Sequence, residues 1–142
     1  MMVGGIDIPY FKGTEGHSDG DPVLHAVCDA ILGAIGVGDI GVMFPDTDTQ
    51  YKGISSRKLL AEVVRLMEDK GYSVVNLDCV VIAESPRIAP HKPEIIKALE
   101  EMLKVPPGSV NVKGKTGEGL GTIGKGDAAE AYAVVLLKEK AA

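Results

Sequence analysis

Ser73-Val74-Val75-Asn76-Leu77-Asp78-Cys79-Val80-Val81-Ile82-Ala83 decides how this chain folds. Val75, Leu77, Cys79, Val81 and Ala83 alternate with Asn76 and Asp78, the period-two pattern of a strand with one buried face. From Val80 to Ala83 both faces are apolar, which places this end of the strand centrally in a sheet. On its amino-terminal side, Ser55 or Ser56 caps a helix whose Leu59, Leu60, Val63, Val64 and Met67 form a stripe, and Gly71 stops it. On its carboxyl-terminal side, Pro93 opens a helix with Ile95, Ile96, Leu99, Met102 and Leu103 inward, ended by Pro106-Pro107-Gly108. Val110 and Val112 lie in a short strand, and Ala128 to Lys138 reads as a terminal strand because Tyr132, Val134 and Val135 favour extended backbone. Gly5 to Gly13 reads as a short strand with a turn. Strands alternating with helices at these lengths predict an α/β sandwich with helices on one face of the sheet, a single domain over residues 1–142.

A further helix begins at His17-Ser18-Asp19-Gly20-Asp21-Pro22, with Asp19 or Asp21 as its cap and Pro22 in its first turn. Val23, Val27, Ala30, Ile31 and Ala34 follow at helical spacing, and glycines from Gly33 to Gly38 end the helix. His25 and Asp29 fall four apart on one face, the arrangement of a metal-binding imidazole oriented by a carboxylate. One imidazole does not make a zinc site, which takes at least three protein ligands, and spacing alone favours a surface or packed histidine. His17 and Ser18 precede the helix where unpaired backbone amides favour an anion.

With 142 residues, 45% of them hydrophobic and 25% charged, the chain can bury a real core. Its net charge of -5 argues against nucleic acid and anionic membranes as partners, since both call for a basic face. Local cations or bound metal would have to neutralise any anionic substrate. Cys28 and Cys79 read as small buried hydrophobes of a reducing compartment. No apolar run reaches membrane-spanning length and no signal-peptide pattern opens the chain, so a cytoplasmic location is expected.

Several familiar strings lack their context. Gly36-x-Gly38-x-x-Gly41 follows a helix rather than a strand, and Gly119-x-Gly121-x-x-Gly124 lies too near the carboxyl terminus for a dinucleotide-binding unit. Gly126 stands where a phosphate loop needs Ser or Thr, and Asp46-Thr47-Asp48-Thr49 lacks the Glu that closes a calcium loop. Taken together, glycine and acid clusters at Gly38–Gly41 and Asp46–Asp48, with Lys115, Thr116 and Lys125, suit a site that holds phosphates on backbone amides and recruits a divalent cation. Each cluster taken singly is ordinary turn chemistry.

The whole chain resembles the 2-C-methyl-D-erythritol 2,4-cyclodiphosphate synthase family. The resemblance runs in order through Ile8-Pro9-Tyr10, His17-Ser18-Asp19-Gly20-Asp21, Leu24-His25-Ala26, Gly38-Asp39-Ile40-Gly41 and Phe44-Pro45-Asp46-Thr47-Asp48. It continues through Lys52-Gly53, Ser55-Ser56-Arg57, Asn111-Val112-Lys113 and Thr116 to Gly121. It implies a mixed sheet with helices on one face, assembled as a homotrimer with active sites between subunits. The implied reaction is intramolecular phosphoryl transfer: the 2-phosphate of 4-diphosphocytidyl-2-C-methyl-D-erythritol 2-phosphate attacks the β-phosphorus and CMP leaves. Zinc, or another divalent metal, on the β-phosphate and magnesium or manganese between the phosphates are implied cofactors.

By the same resemblance His25 is a metal ligand, while His17 and Ser18 contact the substrate phosphates. His17 and Thr116 are the implied catalytic residues, Thr116 stabilising the transition state. Asp39, Ile40 and Gly41, with Phe44, Pro45, Asp46, Thr47 and Asp48, would bind the methylerythritol phosphate. Ala83, Glu84, Ser85, Pro86, Arg87, Ile88 and Ala89 would form the cytidine pocket, and Lys115, Thr116, Gly117 and Glu118 would cradle the CMP phosphates and ribose. Thr122 stands where the family commonly has an aromatic, Lys125 where it has arginine and Asp127 in place of a nearby Glu, at the border of a central cavity that can hold an isoprenoid diphosphate. Lysine keeps the charge and loses the bidentate fork. The chain is expected to start after the family's first strand, whose Asp-x-His gives the other two zinc ligands, leaving His25 of the three. A non-catalytic trimeric module that binds cytidine nucleotides or isoprenoid diphosphates is the alternative reading.

Overall fold

In the computed structural model the described residues are 1–10 and 19–141. The chain opens with a hairpin of two-residue strands, β1 (Met2–Val3) and β2 (Ile6–Asp7), joined by Gly4-Gly5. Both glycines have positive φ, 61° and 82°, the left-handed pair that a two-residue hairpin turn demands. The expected strand around Ile6 is thus shorter than predicted, and Pro9 lies outside it.

Helix α1 (Pro22–Ala34) is capped by Asp21, whose carboxylate accepts from the amides of Val23 at 3.1 Å and Leu24 at 3.0 Å. Its buried face is wider than the predicted stripe: Leu24, Cys28 and Leu32 join Val23, Val27 and Ile31, while Ala34 is exposed. The segment 38–53, whose glycine and acid clusters show no repeating apolar pattern, folds into a short helix α2 (Ile40–Met43) and a 3₁₀ turn at Thr49–Tyr51. Asp39 caps the first through the Val42 amide and Asp48 the second through the Gln50 amide. Helix α3 (Ser56–Asp69), capped by Ser55, buries the predicted Leu59, Leu60, Val63, Val64 and Met67.

Strand β3 (Tyr72–Ile82), helix α4 (Lys92–Leu103) and strand β4 (Val110–Lys115) form a β-α-β unit with parallel strands, Leu77 opposite Val110 and Ile82 opposite Lys115. After the four-residue helix α5 (Gly121–Gly124), strand β5 (Glu130–Glu139) runs antiparallel on the other side of β3. The sheet order β4-β3-β5 puts β3 in the centre, as its apolar far end predicts. One detail differs from the predicted alternation. Val74 faces Leu137 and Asn76 faces Leu136, so Val75 is an extra residue bulged out of the ladder and Val74 takes the inner position.

Helices α1, α3 and α4 pack on one face of this mixed sheet, over Val74, Leu77, Cys79 and Val81 of β3 and Val110 and Val112 of β4. Cys28 and Cys79 are buried as expected, and burial pushes their thiols up to about 12 and about 11, which keeps them protonated and unreactive. The other face of the sheet is open, with Tyr132 58% exposed, Val134 73% and Leu136 54%. No helix among the described residues is long and apolar enough to cross a membrane.

Asp21 joins the hairpin to this sandwich. Besides capping α1, its two carboxylate oxygens accept from Gly4 at 2.9 Å and Gly5 at 2.7 Å, and the side chain is fully buried. Arg57 at the start of α3 donates twice to the Gly5 carbonyl, at 3.1 Å from Nε and 2.8 Å from a terminal nitrogen. Asp19 accepts from the Ser56 amide at 3.1 Å and from the Ser56 hydroxyl. Asp21→Ala strands four backbone amides in the interior and is expected to cost roughly 3 kcal/mol or more, read as a lowered midpoint in urea unfolding.

Candidate active site

The parallel strands β3 and β4 finish side by side. Their last shared bond runs from the Ala83 amide to the Lys115 carbonyl at 2.9 Å. Beyond it the two chains part, one into the turn 84–91 and the other into the glycine-rich segment 116–127. The gap between them is a cavity of about 290 Å³ lined by Ala83, Glu84, Arg87, Ile88, Ala89, Lys92, Gly114, Lys115, Thr116 and Glu118. Divergence at the carboxyl ends of parallel strands is the usual cause of a ligand cleft in α/β sheets. Eight of these ten residues are ones the sequence assigns to a site. Lys92 and Gly114 are additions that the sequence reading assigns to no site: Lys92 opens α4, and Gly114 lies in β4. Ser85 and Pro86, joined by a cis peptide bond, stand outside the lining, as does Gly117.

The cavity is rich in cations. Arg87, Lys92 and Lys115 form no ion pair among the described residues. In a chain of net charge -5, this is a local reserve of positive potential. Thr116 accepts at Oγ1 from the Glu118 amide at 3.1 Å, which leaves its hydroxyl proton to be donated. Glu118 has φ of 53°, a left-handed conformation that costs a non-glycine residue about 1 kcal/mol and marks a segment held in shape by its surroundings.

The segment 117–126 is compact because glycines let its backbone touch itself. A Cβ on Gly124 would lie 2.2 Å from the Gly119 carbonyl carbon, and one on Gly117 would lie 2.8 Å from the Gly124 nitrogen. Thr122 and Lys125 belong to the exposed α5 turn and do not reach the cavity.

A second, smaller cleft of about 120 Å³ lies where α1, α2 and α3 meet, lined by His25, Ile40, Gly41, Phe44, Tyr51, Ile54 and Leu59. The structure thus gathers four sequence-predicted residues, and adds Tyr51, Ile54 and Leu59 as apolar walls. Phe44 and Tyr51 meet edge to face at 5.1 Å. Asp39, Pro45, Asp46, Thr47 and Asp48 lie outside this lining, and the carboxylates of Asp39 and Asp48 serve as caps. Asp29, read from its spacing as the partner that orients His25, instead accepts the Ile40 amide at 2.8 Å and so ties α2 to α1. Among the described residues no three His, Cys, Asp or Glu side chains gather as a metal site. His25 supplies one donor, and one imidazole alone does not fit the coordination of zinc. His17 and Ser18 lie outside the described residues.

The fold and the cleft place this chain in the class of α/β sandwich proteins with a cation-lined cleft at the ends of their parallel strands. Within that class, this chain belongs to the YgbB family, whose sequence model matches residues 1–138. It is 49% identical over 139 residues to a 2-C-methyl-D-erythritol 2,4-cyclodiphosphate synthase of Nitrosomonas europaea, covering 98% of this chain and 85% of that one. It is 51% identical over 140 residues to the protein of the same name from Geotalea uraniireducens, covering 99% and 89%. A solved structure of such a synthase in its CDP-bound form matches with a TM-score of 0.89 at 36% identity, covering 97% of this chain and 89% of that one.

Replacing Gly124 by Ala should force the segment 117–126 apart. The expected result is faster amide hydrogen exchange across these residues, with exchange of β3 unchanged.

Proposed function

We propose that this chain is a 2-C-methyl-D-erythritol 2,4-cyclodiphosphate synthase, converting 4-diphosphocytidyl-2-C-methyl-D-erythritol 2-phosphate to the cyclic diphosphate and CMP. The observation that carries this reading is near-full-length similarity to enzymes of that name, together with a cation-lined cleft built from the residues the reaction would use. A non-catalytic nucleotide-binding module is not favoured, since the similar proteins carry the synthase name.

In the proposed reaction an oxygen of the 2-phosphate forms a bond to the β-phosphorus. The bond from that phosphorus to the bridging oxygen breaks, and the oxygen leaves with CMP. Both reactants are anions, so the protein's work is to hold them in line and to offset charge. Ala83 and residues 85–89 receive the cytidine, with Glu84 in the same wall and Lys115 and Arg87 supplying positive potential toward the phosphates. The Thr116 hydroxyl donates to a phosphate oxygen as charge moves onto it. Phe44 and the apolar walls around Ile40 and Gly41 hold the methylerythritol end. A divalent metal would neutralise the diphosphate, with His25 as one ligand. The described residues offer no complete ligand set for it. His17 and Ser18 are proposed phosphate contacts, and Thr122 and Lys125 the border of a central cavity suited to an isoprenoid diphosphate.

The open sheet face supports a homotrimer. Tyr132, Val134 and Leu136 stand in register with Val80, Asp78 and Asn76, giving an apolar stripe beside a polar one in which Lys113 and Asn111 bind Asp78 at 2.7 and 3.1 Å. Large exposed side chains in such a row call for a partner surface, and copies of this chain are the partner we propose.

Two tests follow. CMP release from the substrate, with zinc and magnesium present, should be detected by chromatography, and Thr116→Val should slow it at least tenfold while changing CDP affinity less than about threefold. No release overturns the enzyme reading, and equal loss of rate and affinity overturns the role of Thr116. Val134→Glu should convert the proposed trimer to monomers in analytical ultracentrifugation, because each subunit contact made through this face would then bury a carboxylate.

A further inference from the structure

Glu84 is an anomaly in the cleft. Arg87, Lys92 and Lys115 make the surroundings attractive to an anion, and a carboxylate among them works against that attraction. Glu118, the other acid there, is exposed, whereas Glu84 is half-buried and engaged: its Oε2 accepts from the Gly117 amide at 2.9 Å.

That bond stands at a particular place. The β3–β4 ladder ends with the Ala83 amide on the Lys115 carbonyl. Past this point, Glu84 to Gly117 is the one hydrogen bond, among the described residues, that joins the end of β3 to residues 116–119. Gly117 in turn accepts from the Leu120 amide at 3.0 Å, and its α-carbon lies against Gly124 too closely to carry a side chain. Thr116 therefore sits between two fixed points, the ladder at Lys115 and the clamped amide at 117. Glycine-rich backbone has many conformations to lose, and one hydrogen bond at this position selects among them.

We infer that Glu84 is a positioning residue: its carboxylate holds the Gly117 amide and so fixes where the Thr116 hydroxyl stands, without contacting the bound nucleotide. This rests on the nucleotide reading of the cleft, which it deepens by separating what Glu84 does from what the cations do. It makes the negative charge of Glu84 dispensable and its acceptor oxygen essential.

Two variants separate those properties, because Glu84→Gln keeps an acceptor and loses the charge, while Glu84→Ala loses both. Each is titrated calorimetrically with CDP at low and high salt, and Gly117 amide exchange is followed by NMR in the nucleotide-free protein. Glu84→Gln should bind CDP about two- to fivefold more tightly than wild type at low salt, with the gain shrinking at high salt and Gly117 still protected. Glu84→Ala should exchange the Gly117 amide about tenfold faster and bind CDP about tenfold more weakly than Glu84→Gln. If Gln weakens CDP binding, the carboxylate itself contacts the nucleotide and the inference fails. It also fails if Ala and Gln protect Gly117 equally. Absence of CDP binding by wild type would instead overturn the nucleotide reading, while exchange at Gly117 in the free protein still decides whether Glu84 holds the segment.

Discussion

A carboxylate withdrawn from water has to find hydrogen-bond donors, and Asp21 finds four backbone amides in two parts of the chain, Gly4 and Gly5 in the hairpin and Val23 and Leu24 in α1. Burial pushes its carboxyl above the usual range, with the amide bonds to Leu24, Gly5 and Gly4 pulling the other way. The side chain thus fixes the hairpin against the first turn of the helix that carries His25. Asp19 and Arg57 extend the same joint to the start of α3, so three segments converge on one short acidic stretch. The smaller cleft takes its walls from α1, α2 and α3, with α2 held against α1 by the Asp29–Ile40 bond.

The two clefts divide the chemistry by character. One is apolar with a single imidazole; the other is wide, polar and cationic. Neither alone matches a substrate with a branched polyol phosphate at one end and a nucleotide at the other. A protein that binds such a molecule needs both kinds of surface, and the chain's overall negative charge makes the local cations the more telling.

The main elements were legible in the sequence because each carried a repeating apolar pattern. Leu59 to Met67 announced α3, Leu77 to Val81 announced the central strand, and Tyr132 to Val135 kept β5 extended against the helical bias of its alanines. What escaped was set by contacts between segments distant in sequence. Asp29 shares a helix face with His25, yet it binds Ile40 because the turn after α1 folds back within reach. The caps Asp39 and Asp48 open helical turns too short to show a periodic pattern. Lys92 lines the cleft because α4 begins where β3 and β4 separate, which no local signal records. Residues 83–89 and 115–118 were assigned by resemblance, and only the parallel register of Ile82 with Lys115 explains why they meet.

The bulge at Val75 has a consequence for how this strand can change. Val74 and Asn76 occupy consecutive rungs opposite Leu137 and Leu136, so excising the intervening residue would leave an unbroken zigzag with every remaining side chain on its present face. Elsewhere in a strand, the loss of one residue turns the inside of a protein outward. Here the phase of the core is insulated from the length of the chain, and a single-residue deletion can be absorbed in the middle of the central strand.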